Sequence, residues 1–250
     1  MSDRIEKLSW AERWFRDGLR AIDPPGALLA VEVDMSRPAA LRSEKRLVGV
    51  SVTYTQIVIV AIAAALQQLP ELHRMVAGNK RLTSDTIDIC LSVAGENVVT
   101  PVVILKDAER RTLELIGQEI KEKTAVARAS DQKLTAFLNK WGWVVPAAFA
   151  RRALIRFLLS RTSYRRTVSG TFQLTALGTV DQIAPFLFNT AAAVGMGEVR
   201  DRVIAVDGRP EVRPTAVLTC CCDHKVWNGM DAARFLNAVK AELESMRTHE

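Results

Sequence analysis

Seven residues near the C-terminus, Asp223-His224-Lys225-Val226-Trp227-Asn228-Gly229, stand between an apolar run and a helix-like one. The run before them, Ala216-Val217-Leu218-Thr219-Cys220-Cys221-Cys222, reads as a strand, and the run after them extends from Met230 to Met246. The histidine therefore sits at the end of a rigid element that can aim it. A side-chain amide follows four residues later, just before a glycine. An imidazole so placed can take a proton from a thiol or hydroxyl at neutral pH.

The rest of the chain alternates helices and strands in the same way. Ser9 to Ala21 reads as a helix stopped by Pro24-Pro25-Gly26, and Leu28 to Val33 as a strand. Asp34 and Ser36 open a short helix near Pro38 to Ser43, and Thr55 to Leu69 is a long buried helix. Ile87 to Val93 and Val98 to Leu105 read as strands joined at Gly95-Glu96-Asn97. Leu113, Ile116, Ile120 and Lys123 follow helical spacing, which predicts an amphipathic helix from Ala108 to Arg128. Thr171 to Leu174, Ala191 to Val199, Arg202 to Val206 and Thr215 to Cys222 are strand candidates, with a hairpin turn at Asp207-Gly208. The mixture implies an α/β sandwich with a mixed sheet.

The chain of 250 residues can bury a large core. It has no Pro/Gly/Ser-rich linker and no internal repeat, so a single domain over 1–250 is expected. Its four cysteines form no CxxC pair. Consecutive strand residues face opposite ways, so Cys220, Cys221 and Cys222 cannot converge on one metal, and no metal is expected. The charged N-terminus lacks the apolar core of a leader, and the apolar run Ile57 to Leu66 is far shorter than the roughly 20 residues that span a bilayer. A cytoplasmic location is the corresponding expectation.

The spacing HxxxNG, preceded by Asp223, resembles the DHRxxDG or DHRxxNG signature of lipoamide acyltransferase catalytic cores. These are components of 2-oxo-acid dehydrogenase complexes, within the chloramphenicol acetyltransferase-like superfamily. The resemblance covers most of the chain. Leu8-Ser9 with Arg13 looks like the family's N-terminal helix start, and Val31-Glu32-Val33-Asp34-Met35-Ser36 like its first core strand. Val50 to Leu72, closing on Leu69-Pro70-Glu71-Leu72, resembles its buried helix. Thr100-Pro101-Val102-Val103-Ile104 and the helix from Ala108 resemble its next strand–helix pair. Gly170-Thr171-Phe172-Gln173-Leu174-Thr175-Ala176-Leu177-Gly178 is similar to its GTFTISNLG. Lys225 and Asn228 depart from the commoner residues of the signature. The resemblance implies a chloramphenicol acetyltransferase-like two-layer sandwich, assembled as a homotrimer or a multiple of trimers, with active sites between subunits.

It also implies the chemistry: transfer of an acyl group between coenzyme A, or acyl-CoA, and a thiol such as dihydrolipoamide. His224 matches the base, and Thr175 matches the serine that donates to the tetrahedral oxyanion. Asn228 matches the acid or amide after the histidine. Because Asn228 carries no charge, an arginine salt bridge to it is impossible, and Arg13 is left as a structural relic or a weak coenzyme contact. Asp223 and Lys225 are expected to hold the loop and Trp227 to be core, while Gly229 is expected to supply a conformation or close approach that a Cβ would block. His73, where the family has an asparagine, and His249 have no partners that the sequence names. Residues that bind the coenzyme are not readable.

The stretch from about 135 to 168 does not fit the family core. It carries Lys140, Arg151, Arg152, Arg156, Arg161, Arg165 and Arg166, no acidic residue, and the apolar Trp141, Trp143, Phe149, Leu154, Ile155, Phe157, Leu158 and Leu159. Basicity confined to one segment argues against a general nucleic-acid binder, although the net charge is +6. Three readings stand: a basic amphipathic insertion packed on its own core, contact with an anionic membrane surface through 141–166, or a grip on an acyl carrier or coenzyme phosphates. No lipoyl or subunit-binding domain is expected before the core-like sequence, so the lipoyl group, or another acyl carrier, is expected to arrive on a separate protein. The alternatives are an inactive trimeric scaffold and an acyltransferase with a different carrier or acceptor.

Overall fold

The computed structural model describes residues 8–21, 26–77, 80–95, 97 and 100–246. In chain order the elements are α1 (Trp10–Ala21), β1 (Gly26–Asp34), α2 (Ser36–Leu47), α3 (Tyr54–Gln68), β2 (Arg74–Ala77), β3 (Lys80–Thr83), β4 (Ile89–Ser92) and β5 (Val102–Leu105). They continue with α4 (Leu113–Trp141), α5 (Ala148–Ser160), α6 (Thr162–Ser169), β6 (Phe172–Ala176), β7 (Ala192–Met196), β8 (Arg200–Val206), β9 (Arg209–Asp223) and α7 (Gly229–Ser245).

The main sheet runs β1-β9-β7-β6-β4-β5, with β8 paired to β9. Its β4–β6 and β6–β7 pairs are parallel and the others antiparallel, so the sheet is mixed. The first part of β9 pairs with β8 in a hairpin, and its later part is held between β1 and β7. Asp207 and Gly208 both have positive φ, 50° and 76°, the conformation that a two-residue hairpin turn favours.

Helices α3 and α7 cover one face. Helix α3 begins in a reciprocal cap, in which Gln56 N donates to Thr53 Oγ1 while Gln56 Oε1 accepts from Thr53 N. It ends before Pro70. Its Ile57, Ile59, Ile62 and Leu66 are fully buried, each contributing about 1.5–3 kcal/mol. Phe172 of β6 and Phe235 of α7 meet Trp227 at the centre of this core, with ring centroids 5.0–6.3 Å apart.

A smaller cluster lies to one side, where Ala11, Trp14 and Phe15 of α1 meet Leu138 near the end of α4. The stretch at 135–168 thus includes helices packed on α1. Arg151 of α5 and Asp17 of α1 form a buried ion pair at 2.7 Å, 3% and 0% exposed. Arg151 also donates to the carbonyls of Val145 and Pro146 at 2.8 and 2.6 Å.

Three local expectations change. The helix expected from Ala108 to Arg128 begins at Leu113, after a single 3-10 turn at Ala108–Arg110, and continues to Trp141. Thr112 caps it by accepting from Leu115 N, and no proline or glycine interrupts it between Gly117 and Gly142. The strand expected from Val98 starts at Val102; Val98, Val99 and Glu96 of the adjoining turn lie outside the described residues, as do Pro24, Pro25 and His249. Strands β2 and β3 pair with each other and were not anticipated.

Candidate active site

Three anchors hold the turn after β9. Asp223, the last strand residue, pairs in register with Gly26 of β1 and donates its N–H to the Ala191 carbonyl at 2.8 Å. Its own carbonyl accepts from Val226 N and Trp227 N, and its carboxylate accepts from Lys225 N at 3.0 Å. Trp227 is fully buried, and its indole N–H donates to the Leu72 carbonyl at 2.9 Å. Asn228 caps α7: its Oδ1 accepts from Asp231 N at 2.9 Å, while Asp231 Oδ2 accepts from Asn228 N at 3.2 Å. His224 stands exposed between these anchors. The expected loop-holding part of Asp223 and the core position of Trp227 are borne out.

Gly229 departs from expectation. A Cβ there would meet nothing within 4 Å, and its φ is not among the positive glycine values. It opens α7 in ordinary helical backbone, so neither close approach nor a left-handed conformation explains it. Gly170 does have such a reason: its φ is 62°, and a Cβ would press on the Asp88 carbonyl.

Behind the turn, Arg165 of α6 is buried and donates to the Asn189 carbonyl at 2.7 Å. Burial pushes its guanidinium below the usual range, and the Asp223 carboxylate opposes that shift. In front, Arg74 reaches the Val226 carbonyl at 3.3 Å. Arg13 stays local, donating to the Leu8 carbonyl at 3.1 Å and lying 4.7 Å from the Trp10 ring.

Thr175 lies elsewhere. On β6 it is level with Gly195 of β7, which is level with Thr219 of β9. His224 is five residues beyond Thr219. At ~3.4 Å per residue and ~4.8 Å per strand, the two residues are roughly 20 Å apart within one protomer. A base and an oxyanion donor must both lie within a few ångströms of one carbonyl, so these two cannot serve the same carbonyl from the same chain. His224 and Asn228 are brought together at one strand–helix junction; Thr175 is brought to the opposite end of the sheet.

Two residues that the sequence left without a role have one here. Ser92 at the end of β4 lies beside Thr175, and Thr175 Oγ1 donates to Ser92 Oγ at 3.2 Å. Both hydroxyls are half-buried. His73, buried, has its Nε2 2.9 Å from Thr171 Oγ1. Burial pushes the His73 imidazole below its ordinary value, and a bond to the Ser84 backbone opposes this in part. His73 thereby ties the segment carrying Leu72, the acceptor of the Trp227 N–H, to the start of β6. The alternation of the strand could have flagged Ser92, but only once its partner strand was known.

Burial disfavours the thiolate form of the cysteines. Burial pushes Cys90 up to about 12, and Cys220, Cys221 and Cys222 are also raised by burial. Cys220 and Cys222 are buried while Cys221 is half-buried, the alternation expected of a strand. Among the described residues no cluster of three His, Cys, Asp or Glu side chains could hold a metal ion.

Solved structures share this architecture. A probable dihydrolipoamide acetyltransferase from Listeria monocytogenes 4b F2365 superposes with a TM-score of 0.76 at 22% identity, covering 100% of this chain and 97% of that one. The dihydrolipoamide acetyltransferase of Azotobacter vinelandii, studied for the roles of a serine, a histidine and an asparagine in its catalytic mechanism, gives 0.75 at 18% identity, covering 98% and 93%. A chloramphenicol acetyltransferase gives 0.51 at 14% identity over 97% of this chain and 100% of that one. The fold is therefore that of the chloramphenicol acetyltransferase-like proteins. The family model for 2-oxoacid dehydrogenases acyltransferase (catalytic domain) matches residues 21–138 and 159–249, and the chain belongs to that family. Among curated relatives, the lipoamide acyltransferase component of the branched-chain alpha-keto acid dehydrogenase complex of Bacillus subtilis (strain 168) is 28% identical over 229 residues, 89% of this chain and 47% of that protein. The chain spans about half the length of the curated relatives it matches.

Proposed function

We propose that this chain transfers acyl groups between coenzyme A and a carrier thiol such as dihydrolipoamide, at sites shared between subunits of a homotrimer. The observation that carries the reading is the placement of His224 and Thr175 at opposite ends of one sheet, each at a partly or fully exposed position. A cyclic assembly that sets the β9 end of one protomer against the β6 end of the next would supply both residues to one carbonyl. The reading takes Thr175, His224 and Asn228 as the counterparts of the serine, histidine and asparagine studied in the Azotobacter enzyme's catalytic mechanism.

In the reaction, His224 takes the proton of the attacking thiol as its sulfur adds to the thioester carbonyl. The Thr175 hydroxyl of the adjoining subunit donates to the oxyanion of the tetrahedral intermediate. When the intermediate collapses, the carbon–sulfur bond of the original thioester breaks and the leaving thiolate recovers the proton from His224. No charged group is needed at Asn228. Its side chain is committed to the α7 cap, which fixes the far end of the His224 turn.

The test is acyl exchange between acetyl-coenzyme A and free dihydrolipoamide. His224→Ala should lower kcat by at least about a hundredfold, the usual worth of a positioned base. Full activity in that variant would remove the assignment of His224. A correctly assembled wild type inert toward every thioester tried would favour a scaffold that kept the fold.

A further inference from the structure

The family match leaves out residues 139–158, a stretch that holds the end of α4, the turn after it and most of α5. One side of α5 is accounted for: Arg151 is buried against Asp17, and Ile155 lies against Gly18. The other side is not. Phe149 and Phe157, two turns apart, are 74% and 54% exposed, and Trp143 just before the helix is 55% exposed. Rings standing that far out of a surface gain little from the folded chain itself.

The charges sort in the same way. Of the seven basic residues between 135 and 168, three serve the fold: Arg151 on Asp17, Arg165 on the Asn189 carbonyl, and Arg166 on Asp88 at 2.7 Å. Arg152, Arg156 and Arg161 have no carboxylate partner among the described residues. Arg152 and Arg156 donate to the carbonyls of Ala148 and Ala21, and Arg161 lies 4.7 Å from the Phe157 ring. Cations and bare rings therefore share one helix, in a segment without a single acidic residue.

We propose that the outer side of α5 rests on an anionic lipid surface, with the Phe149 and Phe157 rings among the acyl chains and the arginines on lipid phosphates. Charge complementarity selects this occupant. A two-fold contact with a second copy would set Arg152, Arg156 and Arg161 against themselves, with no local carboxylate to relieve them. A folded acidic partner would need a concavity for two projecting rings, whereas a fluid bilayer accepts projecting rings and offers phosphates at any spacing. The helix has 13 residues, about 20 Å, and lies along such a surface; among the described residues no helix is long and apolar enough to cross a membrane. The proposal does not depend on the acyl-transfer reading.

The test is co-sedimentation with vesicles of phosphatidylcholine alone and of equal parts phosphatidylcholine and phosphatidylglycerol, over rising salt. The protein should bind only the anionic vesicles and release as salt screens the arginines. Phe149→Ser/Phe157→Ser and, separately, Arg156→Gln/Arg161→Gln should each weaken binding by about tenfold or more. Both variants should keep the wild-type circular dichroism and light-scattering mass. A wild type that ignores anionic vesicles at low salt overturns the proposal, and its retention on immobilised polyglutamate would then assign the face to an acidic protein. Unchanged vesicle binding in the phenylalanine variant overturns it too. So does a fall in assembly mass in that variant, which would make the face a subunit contact.

Discussion

The turn after β9 and the helical segment around α5 spend their polar groups in opposite ways. In the turn, Asp223, Trp227 and Asn228 are each committed to a hydrogen bond that fixes backbone, and His224 is set out to solvent between them. Around α5, a single buried pair, Arg151 with Asp17, fixes the helix, while several cations and aromatic rings are left outside. The first arrangement aims one group with high definition. The second presents a broad surface with little definition of its own. Precise chemistry calls for the former, and adhesion to a yielding surface is satisfied by the latter.

Cutting one anchor in each region sharpens the contrast. Trp227→Ala removes a fully buried ring and the bond to Leu72, and should cost about 3–5 kcal/mol of stability. Because the same ring anchors the turn, acyl exchange per folded molecule should fall with it. Arg151→Ala leaves Asp17 buried without its partner, at a comparable cost of about 3–5 kcal/mol. Exchange per folded molecule should then stay near wild type. Denaturant melts paired with kinetics separate the two; a large kinetic loss from Arg151→Ala would show that the helical segment supports the chemistry.

A smaller effect is expected at the far end of the sheet. Thr175→Val should reduce kcat by more than about tenfold, since it removes a hydroxyl donor and keeps the shape. The Thr175–Ser92 bond makes a further claim. If the two hydroxyls act as one donor, Ser92→Ala should also lower kcat with KM little changed, and the double variant should lose less than the product of the single losses. Ser92→Thr, which keeps a hydroxyl, should restore part of the rate. Independent, multiplicative losses would reduce Ser92 to a packing residue. Smallest of all, Asn228→Ala should cost about 1 kcal/mol of stability through the lost cap. A kcat loss with no stability loss would instead place the amide on the substrate.

Much of the frame was legible because it follows from local pattern. The apolar density of α3 and the turn chemistry of Asp207-Gly208 announce themselves over a few residues. The β9–turn–α7 succession does so as well, and its histidine and amide fall where the motif put them. What was illegible depends on partners distant in sequence. Ser92 gains meaning only when β4 lies beside β6, and His73 only when Thr171 arrives from 98 residues away. The β2–β3 pair consists of four-residue strands whose apolar alternation is too brief to read; the Gly78-Asn79 dipeptide between them was the available signal. Gly229 shows the reverse error: a motif glycine invited a steric reason that the open space around it does not supply. The excess charge of the 135–168 stretch was plain, but not that Arg151, Arg165 and Arg166 would be spent on the fold.

The shared site is the central claim, and subunit mixing tests it most directly. His224→Ala and Thr175→Val proteins, each nearly inactive, are unfolded together, refolded in equal amounts and assayed for acyl exchange. If one carbonyl is served by His224 of one subunit and Thr175 of the next, about one interface in four carries both intact residues, and the mixture exceeds the mean of its parents by many-fold. A mixture no more active than that mean, from subunits shown by light scattering to have co-assembled, would contradict the account.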